Sequence, residues 1–333
     1  MYVTSCKILY GDYMNTEQKI LEILENADGA VSGQELANGL NISRNAVWKS
    51  INSLRKSGYI IDAYTNKGYE ISYKNSIMSE TAVKKALKTD CKILLYKTVT
   101  STNTLAKRAA EAGENEFTVI IAENQTDGRG RLGRKFYSPA LSGLYISIVL
   151  RPSLPAHANT LITTAAAVAV SKAINSVFGV NTDIKWVNDI FLHGKKVCGI
   201  LTEGSFNIET GNMDYAVLGI GVNLTAPSGG FPADIKNIAG EICKGDCSYI
   251  KKAEFTAAII DNFAEIYKKL PEKDFMNYYR SHSLILGKRV GFICDGKEIS
   301  ATAINIDDNA HLTVKLPDGT LKVLSAGEVS LKI

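Results

Sequence analysis

The stretch "DGRGRLGRKF", Asp127–Phe136, carries Gly128, Gly130 and Gly133 in the G-x-G-x-x-G spacing that opens dinucleotide-binding folds. In such a fold a strand runs into the glycines and a helix begins within them, so that phosphate rests on the helix N-terminus. A strand-like run, "FTVIIAENQ", does precede them. After them comes "RKFYSPALSG", with Pro139 and Gly143 where the helix should run, and the dinucleotide reading fails. That leaves a glycine-rich loop bearing Arg129, Arg131 and Arg134, each able to donate paired hydrogen bonds to phosphate or carboxylate. Arginines held so close repel one another until an anion neutralises them. The competing reading is an exposed basic loop of no consequence.

Working outward, "KILLYKTV", "FTVIIAENQ" and "GLYISIVLRP" read as strands, and "NTLITTAAAVAVSKAINSVFG" as a helix ended by Gly179, giving a mixed α and β domain. Downstream, "DIKWVNDIFLHGKKVCGILTEG" reads as a hairpin that brings Lys185, Asn188, Asp189 and Lys196 to a common end. "AVLGIGVNLT" is a strand in which Gly219 and Gly221 leave room for a ligand against the backbone, and Asn223 offers hydrogen bonds to a base or ribose. No G-x-x-x-x-G-K-[ST] occurs, so any nucleotide is held without a P-loop. Four scattered histidines and no G-x-S-x-G argue against a hydrolase triad.

Ahead of this domain, "TEQKILEILEN" places Ile20, Ile23 and Leu24 on one helical face, with Thr16 as the expected N-cap. "SGQELANGL" opens at Ser32 with Glu35 three residues on, the capping-box spacing. The short turn "NI" leads into "SRNAVWKSINSLRKSG", where Val47, Ile51 and Leu54 recur at helical spacing up to Gly58. This is a helix-turn-helix whose second helix offers Arg44, Asn45, Trp48 and Lys49 to the major groove, with Ser43 and Lys67 also expected to bind DNA. No Asp or Glu lies between Leu36 and Ile61, while Arg44, Lys49, Arg55 and Lys56 do. "YIIDAYTNKGYEISY" then alternates like a hairpin with Lys67 at its tip, which makes the module winged. A three-helix protein-interaction module with a solvated basic face is the alternative. "KNSIM", Lys74–Met78, is the expected linker, and residues 1–13 fit no element.

A chain of 333 residues, 45% hydrophobic and 22% charged, is long enough for two or three domains. Its net charge of +4 is too weak to imply nucleic acid without local clustering. No apolar run is expected to cross a bilayer, because Ser171 and Lys172 interrupt the most apolar stretch. The start lacks the marks of a signal peptide, and the six cysteines read as free thiols, so a cytoplasmic location is expected. Cys243 and Cys247 form the only close pair, without a histidine at zinc spacing, and no metal site built from protein ligands is expected.

The segments "STN", "GRGRLGRKFYSP", "KWVNDI", "KVCGILTE" and "GIGVN" occur in the order found in biotin protein ligases. Together with the winged helix-turn-helix, the chain from about residue 15 to 333 resembles the bifunctional class that also represses biotin operons. The resemblance implies a multidomain α+β protein with a winged helix-turn-helix (14–73), a mixed α/β ligase domain of the biotin/lipoate type (79–283) and an SH3-like β-barrel (284–333). For the last, "GKRVGFICDGKEISATAINIDDNAHLTVKLPDGTLKVLSAGEVSLKI" shows short alternating strands between D-G, D-D-N and P-D-G turns. It departs from the family at Val187, where proline is usual, and at Phe136, where some members have tryptophan.

The activity of the family is then an expectation here: biotin and MgATP give biotinyl-5′-adenylate, and a lysine of a biotin carboxyl carrier domain attacks it. The resemblance assigns Ser101, Thr102, Asn103, Gln125, Gly128, Arg129, Gly130, Arg131, Lys196, Gly199 and Ile200 to biotin. Nucleotide falls to Arg131, Arg134, Lys185, Asn188 and Asn223. Lys196 is expected to bridge carboxylate and α-phosphate, Arg131 to close the loop over the adenylate, and Asp189 to help deprotonate the attacking lysine, with capping of a turn as its competing role. Operator DNA and a ligand-promoted homodimer are the expected partners, with no membrane. A lipoate-type ligase, or a ligand-sensing repressor without ligase activity, are the alternatives; the second would need Arg131 or Lys196 lost, and both are present.

Overall fold

The computed structural model describes residues 15–72, 77–152, 159–206, 213–245, 247–294, 296–325 and 327–331. Residues 1–13, Met14, Tyr73 and most of the linker therefore lie outside the described residues. Two compact units divide between Ile77 and Met78.

The first unit holds α1 (Thr16–Asn26), α2 (Gly33–Leu40), α3 (Arg44–Lys56), β1 (Ile61–Tyr64) and β2 (Gly68–Ile71). Asn15, not Thr16, caps α1: its side chain accepts from the Gln18 backbone while the Gln18 side chain returns the bond, a reciprocal box that the sequence reading placed one residue late. Ser32 and Glu35 form the expected box on α2, and Asn41, left-handed at φ 52°, turns the chain toward α3. Ile20, Leu24, Leu36, Val47, Ile51 and Leu54 are buried, which fixes the three helices around one small core. The strands β1 and β2 pair antiparallel, from Ile61 opposite Ile71 to Tyr64 opposite Gly68, with Lys67 exposed in the turn between them.

The second unit is built on a seven-stranded sheet. Its strands are β3 (Lys92–Tyr96), β4 (Thr118–Ala122), β5 (Gly143–Leu150), β6 (Asp183–Lys185), β7 (Asp189–Leu192), β8 (Lys195–Phe206) and β9 (Met213–Asn223), in the order β3-β4-β5-β9-β8-β7-β6. Only β3 and β4 run parallel, joined through α5 (Thr102–Glu111), which follows α4 (Glu80–Ala86) in the chain. The expected single hairpin is two: β6 returns into β7 through Trp186–Asn188, and β7 into β8 through His193–Gly194. His193 and Gly194 both have positive φ, as a tight two-residue turn needs. The Trp186–Val187 peptide bond is cis.

The period of two in each strand divides this sheet into faces. On one, Ile121, Ile146, Ile148, Ile200 and Ile220 pack with α6 (Asn159–Phe178) and α7 (Tyr249–Lys268). On the other, Ile120, Val149 and Val217 pack beneath Ala106 and Ala110 of α5, and the rest of that face is left open for a cleft. By length and composition α6 is apolar enough to cross a bilayer, which corrects the expectation drawn from Ser171 and Lys172. It lies in the protein core, where Ser171 Oγ meets Thr182 Oγ1 at 2.8 Å and Tyr278 Oη at 3.0 Å.

The chain ends in a five-stranded antiparallel sheet of β10 (Arg289–Cys294), β11 (Lys297–Ile306), β12 (Leu312–Lys315), β13 (Leu321–Leu324) and β14 (Val329–Leu331), in the order β13-β12-β11-β10-β14. Val290, Phe292, Ala303 and Leu312 belong to the same buried cluster as Met276 and Tyr279, so this sheet shares the larger core. Trp186 Nε1 donates to the Ala310 carbonyl at 2.8 Å, and the Tyr279 hydroxyl to that of Val187 at 3.1 Å. The turn that presents Asn188 and Asp189 is thereby pinned from both sides.

Candidate active site

A cleft opens where the N-terminus of α5 meets the N-terminal half of β5 and the facing parts of β8 and β9. The register places Tyr145 opposite Gly221 and Ser147 opposite Gly219, and pairs those glycines with Gly199 and Leu201. Glycines at three of these positions give the floor few side chains. The ring of Phe136 lies on it, since a methyl added at Gly221 would stand 2.6 Å from that ring and one at Gly199 3.2 Å. A methyl at Gly219 would strike the carboxamide of Asn103.

At the wall, the hydroxyl of Ser101 makes no capping bond, and the first free N–H of α5, on Thr102, is met instead by Gln125 Oε1 at 2.8 Å. Gln125 Nε2 donates to Ser138 Oγ at 3.0 Å, which donates to the Phe136 carbonyl at 2.9 Å. Ser147 Oγ donates to Asn103 Oδ1 at 2.6 Å and stands 2.8 Å from Thr102 Oγ1. Asn103 Nδ2 donates to Glu203 Oε2 at 2.7 Å, and Lys107 closes an ion pair with Glu203 at 2.6 Å. The result is one connected chain of mostly neutral donors and acceptors.

The arginine loop folds as a hook: Gly130 N donates to Arg134 O at 2.7 Å and Phe136 N to Gly128 O at 2.8 Å, with a single helical turn at Arg131–Gly133. Gly128 is required because a side chain there would meet the Phe136 carbonyl, and Gly133 by its φ of 73°. Arg131 Nη1 donates to Asn188 Oδ1 at 2.9 Å and its Nη2 to the Gly327 carbonyl at 3.0 Å. Arg134 forks onto both oxygens of Glu328, at 2.9 and 2.7 Å. Arg129 lies 3.7 Å from Asp127.

Lys196 reaches the cleft because of an irregularity. In the β7–β8 ladder Ile190 faces Cys198 and Phe191 faces Lys196, so β8 carries one extra residue over that span. The bulge sends Val197 and Cys198 together into the core and returns Lys196 to the face of Gly199. Its ammonium pairs with Asp189 at 2.7 Å, and its backbone N–H donates to Ile238 O at 2.7 Å. Burial lowers the pKa of Lys185, which Asp189 opposes.

The cleft is lined by Ser101, Thr102, Asn103, Gln125, Arg129, Gly130, Arg131, Arg134, Asn188, Asp189, Lys196, Gly199 and Ile200 among the residues expected from sequence. The side chain of Ile200 is buried on the α6 face, and its backbone exchanges bonds with Asn188. Gly128, Lys185 and Asn223 do not line it. Gly128 acts behind the loop, Lys185 lies across the ladder from Asp189, and Asn223 Nδ2 stands 3.5 Å from the Lys196 carbonyl. Sequence reasoning missed Glu203, Ser147, Leu201 and Glu328. The first three share the strand face of Gly199 and Gly219, so the strand period was their available signal. Among the described residues, five cations line the cleft, Arg129, Arg131, Arg134, Lys135 and Lys196, against the two carboxylates Asp189 and Glu328. That excess suits a polyanion.

In the first unit, Arg44, Asn45, Trp48 and Lys49 lie along one stretch of α3, with Trp48 55% exposed. Ser43 is the N-cap of α3, accepting from Ala46 N at 3.1 Å. Arg55 is spent on structure: its Nε and Nη2 donate to the Ile61 carbonyl at 3.0 and 2.6 Å, tying helix to wing.

With this geometry in place, the comparisons with known proteins agree with one another. The model of the biotin/lipoate A/B protein ligase family matches residues 95–223, flanked by an HTH domain over 16–70 and the biotin protein ligase C terminal domain over 285–332. The chain belongs to the biotin protein ligases of the bifunctional ligase/repressor class. It is 33% identical to the bifunctional ligase/repressor BirA of Bacillus spizizenii over 92% of this chain and 96% of that one. It is 31% identical to the biotin--[acetyl-CoA-carboxylase] ligase of Mycobacterium tuberculosis over 69% of this chain and 85% of that one. The biotin protein ligase of Aquifex aeolicus, solved with biotin and ATP, is 27% identical and superposes with a TM-score of 0.59, covering 72% of this chain and 98% of that one.

Proposed function

We propose that this chain activates biotin with ATP to biotinyl-5′-adenylate, transfers the biotinyl group to a lysine of a biotin carboxyl carrier domain, and represses transcription with the adenylate as corepressor. The observation that carries the ligase reading is the bulge that places Lys196 beside Asp189, in a cleft joining a neutral hydrogen-bonding wall to an excess of cations. A ureido ring suits that wall, and a carboxylate meeting a triphosphate suits the cations. A dithiolane ring accepts no such hydrogen bonds, which favours biotin over lipoate.

In the first step a biotin carboxylate oxygen attacks the α-phosphorus and pyrophosphate leaves. Both reactants are anionic, so Lys196 and Arg131 offset their repulsion, with Arg129 and Arg134 nearby. In the second, a neutral lysine amine attacks the anhydride carbonyl and AMP leaves; Asp189 accepts the proton once Lys196 turns to the ligand. Asn188 holds Arg131, and we assign Lys185 and Asn223 to the rim of the nucleotide site. Mg2+ brought with ATP would add to the charge neutralisation that Lys196 and Arg131 supply at the phosphates.

The exposed face of α3, through Arg44, Asn45, Trp48 and Lys49, enters the major groove of operator DNA, with Lys67 of the wing and the flanking Ser43 against the backbone. Operator two-fold symmetry calls for a homodimer promoted by the adenylate. We divide the chain at 14–73, 79–283 and 284–333, read the last as an SH3-like barrel, and place the protein in the cytoplasm. Incubation with labelled biotin, MgATP and a carrier domain, run beside lipoate, tests the ligase reading; label from lipoate alone, or from neither, overturns it.

A further inference from the structure

Glu203 is absent from the expected site and does not line the cleft, yet it ends the polar chain that does. It sits on β8 two residues beyond Leu201, on the strand face of Gly199, and reaches α5 at two successive turns. Asn103 and Lys107 are four apart, so both side chains fall on one side of that helix. Burial opposes ionisation of Glu203, and the hydrogen bonds from Lys107 and Asn103, with the charges of Lys107 and Arg129, outweigh it; the carboxyl lies below its ordinary value. It is therefore an anion at neutral pH, and an ionised carboxylate only accepts.

That decides how Asn103 stands. Its amide can be turned by 180° at little steric cost, exchanging donor and acceptor. With Glu203 on one side and the Ser147 hydroxyl on the other, only one orientation pairs every group: Nδ2 toward the carboxylate and Oδ1 toward Ser147. The flipped amide would set a carbonyl oxygen against an anion. One hydrogen of Nδ2 is used by Glu203, and the other remains for a ligand on the cleft wall. Gly219 leaves room for this carboxamide, since a methyl there would collide with it.

We propose that Glu203, held by Lys107, is a positioning residue that locks the Asn103 amide so that its second N–H meets a neutral carbonyl oxygen of the ligand, on the present reading the ureido oxygen of biotin. The inference rests on that reading. Lys107 matters because it stops the carboxylate from swinging to solvent, and because it neutralises a charge that biotin's own carboxylate would otherwise feel.

The experiment uses the full chain and four variants: Glu203→Gln, Lys107→Met, Asn103→Ala and the double Glu203→Gln/Asn103→Ala. Biotin affinity is read by calorimetry, and adenylate formation by KM for biotin, KM for ATP and kcat. A glutamine both donates and accepts, so it no longer selects one amide orientation. Glu203→Gln is expected to weaken biotin on the order of tenfold or more, with the ATP KM and the kcat at saturating biotin within about twofold. Lys107→Met, at a partly exposed site, gives a smaller loss of the same kind. In the double variant, Glu203→Gln adds nothing to the loss already caused by Asn103→Ala. Additive losses, or unchanged biotin affinity in both Glu203→Gln and Lys107→Met, overturn the inference while the function stands. Failure of the unaltered chain to bind biotin overturns both.

Discussion

Arg134 and Glu328, 194 positions apart in sequence, meet as a two-pronged pair at 2.9 and 2.7 Å. The carboxylate beside the loop is thus supplied by the terminal sheet, one residue before β14. Repulsion among the loop arginines, which the sequence leaves for a ligand to relieve, is already partly relieved by the chain itself. The Arg134 side chain is 68% exposed, so the pair is expected to contribute less than about 1 kcal/mol to folding. Glu328→Ala should leave thermal unfolding nearly unchanged while making 128–134 more susceptible to protease without ligand. Biotin and ATP together should restore protection. Equal cleavage rates in the two proteins would count against a tethering role.

Lys196→Ala and Arg131→Gly are expected to fail at different moments. Loss of the lysine leaves charge at the reacting phosphorus unneutralised and should slow adenylate formation by about 2.7–4 kcal/mol, or roughly 100- to 1,000-fold. Loss of the arginine removes bonds to Asn188 and Gly327 and should let adenylate escape faster than it is used. Rapid-quench measurement of adenylate made, beside filter measurement of adenylate retained, separates the two. Normal formation and retention in both variants would dismiss these roles.

Gly219→Ala puts a methyl into the Asn103 amide, and the collision is with a group pinned at both ends. Overpacking there should cost about 1–3 kcal/mol of stability. Biotin KM should rise more than ATP KM, because the displaced group belongs to the wall and not to the cation cluster. A variant of normal stability and normal biotin KM would show that the wall yields without consequence.

The lowered pKa of Lys185 makes stability depend on pH in a direction that can be checked. Between the native value and the ordinary 10.5 the unfolded chain holds more protons than the folded one, so this residue's contribution to stability rises with pH across that window. Lys185→Met should therefore be more stable than the unaltered protein at pH 7, and the gap should close as pH approaches 10.5. Melting temperatures in a pH series give the answer; a gap that stays constant or widens would contradict it.

On the DNA side, Arg44→Ala or Lys49→Ala should weaken operator binding and flatten its salt dependence by about one unit of slope for each phosphate no longer neutralised, with ligation intact. Arg55→Ala should instead destabilise the first unit, since its guanidinium ties α3 to the wing at Ile61. Gel shifts with no ligand, biotin and adenylate, with sedimentation under each condition, also test whether the adenylate promotes dimerisation. Equal affinity in all three states, or ligation lost in the α3 variants, would defeat the scheme.

Features set by near neighbours in the chain were legible in the sequence. The cap at Ser32 with Glu35, the repeat Val47, Ile51, Leu54 and the missing helix after Gly133 all depend on residues a few positions apart. Thr16 and Asn15 both suit the cap position of α1, and the return bond from Gln18, three residues beyond Asn15, decides for Asn15. The single hairpin split in two because Trp186–Asn188 is itself a turn, held by Ala310 and Tyr279 from far along the chain. Glu203 shares the period-two face of Gly199 and Leu201, but its tie to Asn103 and Lys107 needed the placement of α5, and Glu328 needed a contact across most of the second unit.

The bulge at Val197 makes the cleft sensitive to length as well as to composition. Lys196 stands three positions before Gly199, an odd spacing that an unbroken alternation would divide between opposite faces; without the bulge its ammonium would enter the layer beneath α6, where an ion has no partner. Deleting Val197 makes that spacing two and the ladder regular, so Lys196 is expected to keep its face while the core loses one buried valine, and the loss of this codon should harm adenylate formation less than replacing the lysine does.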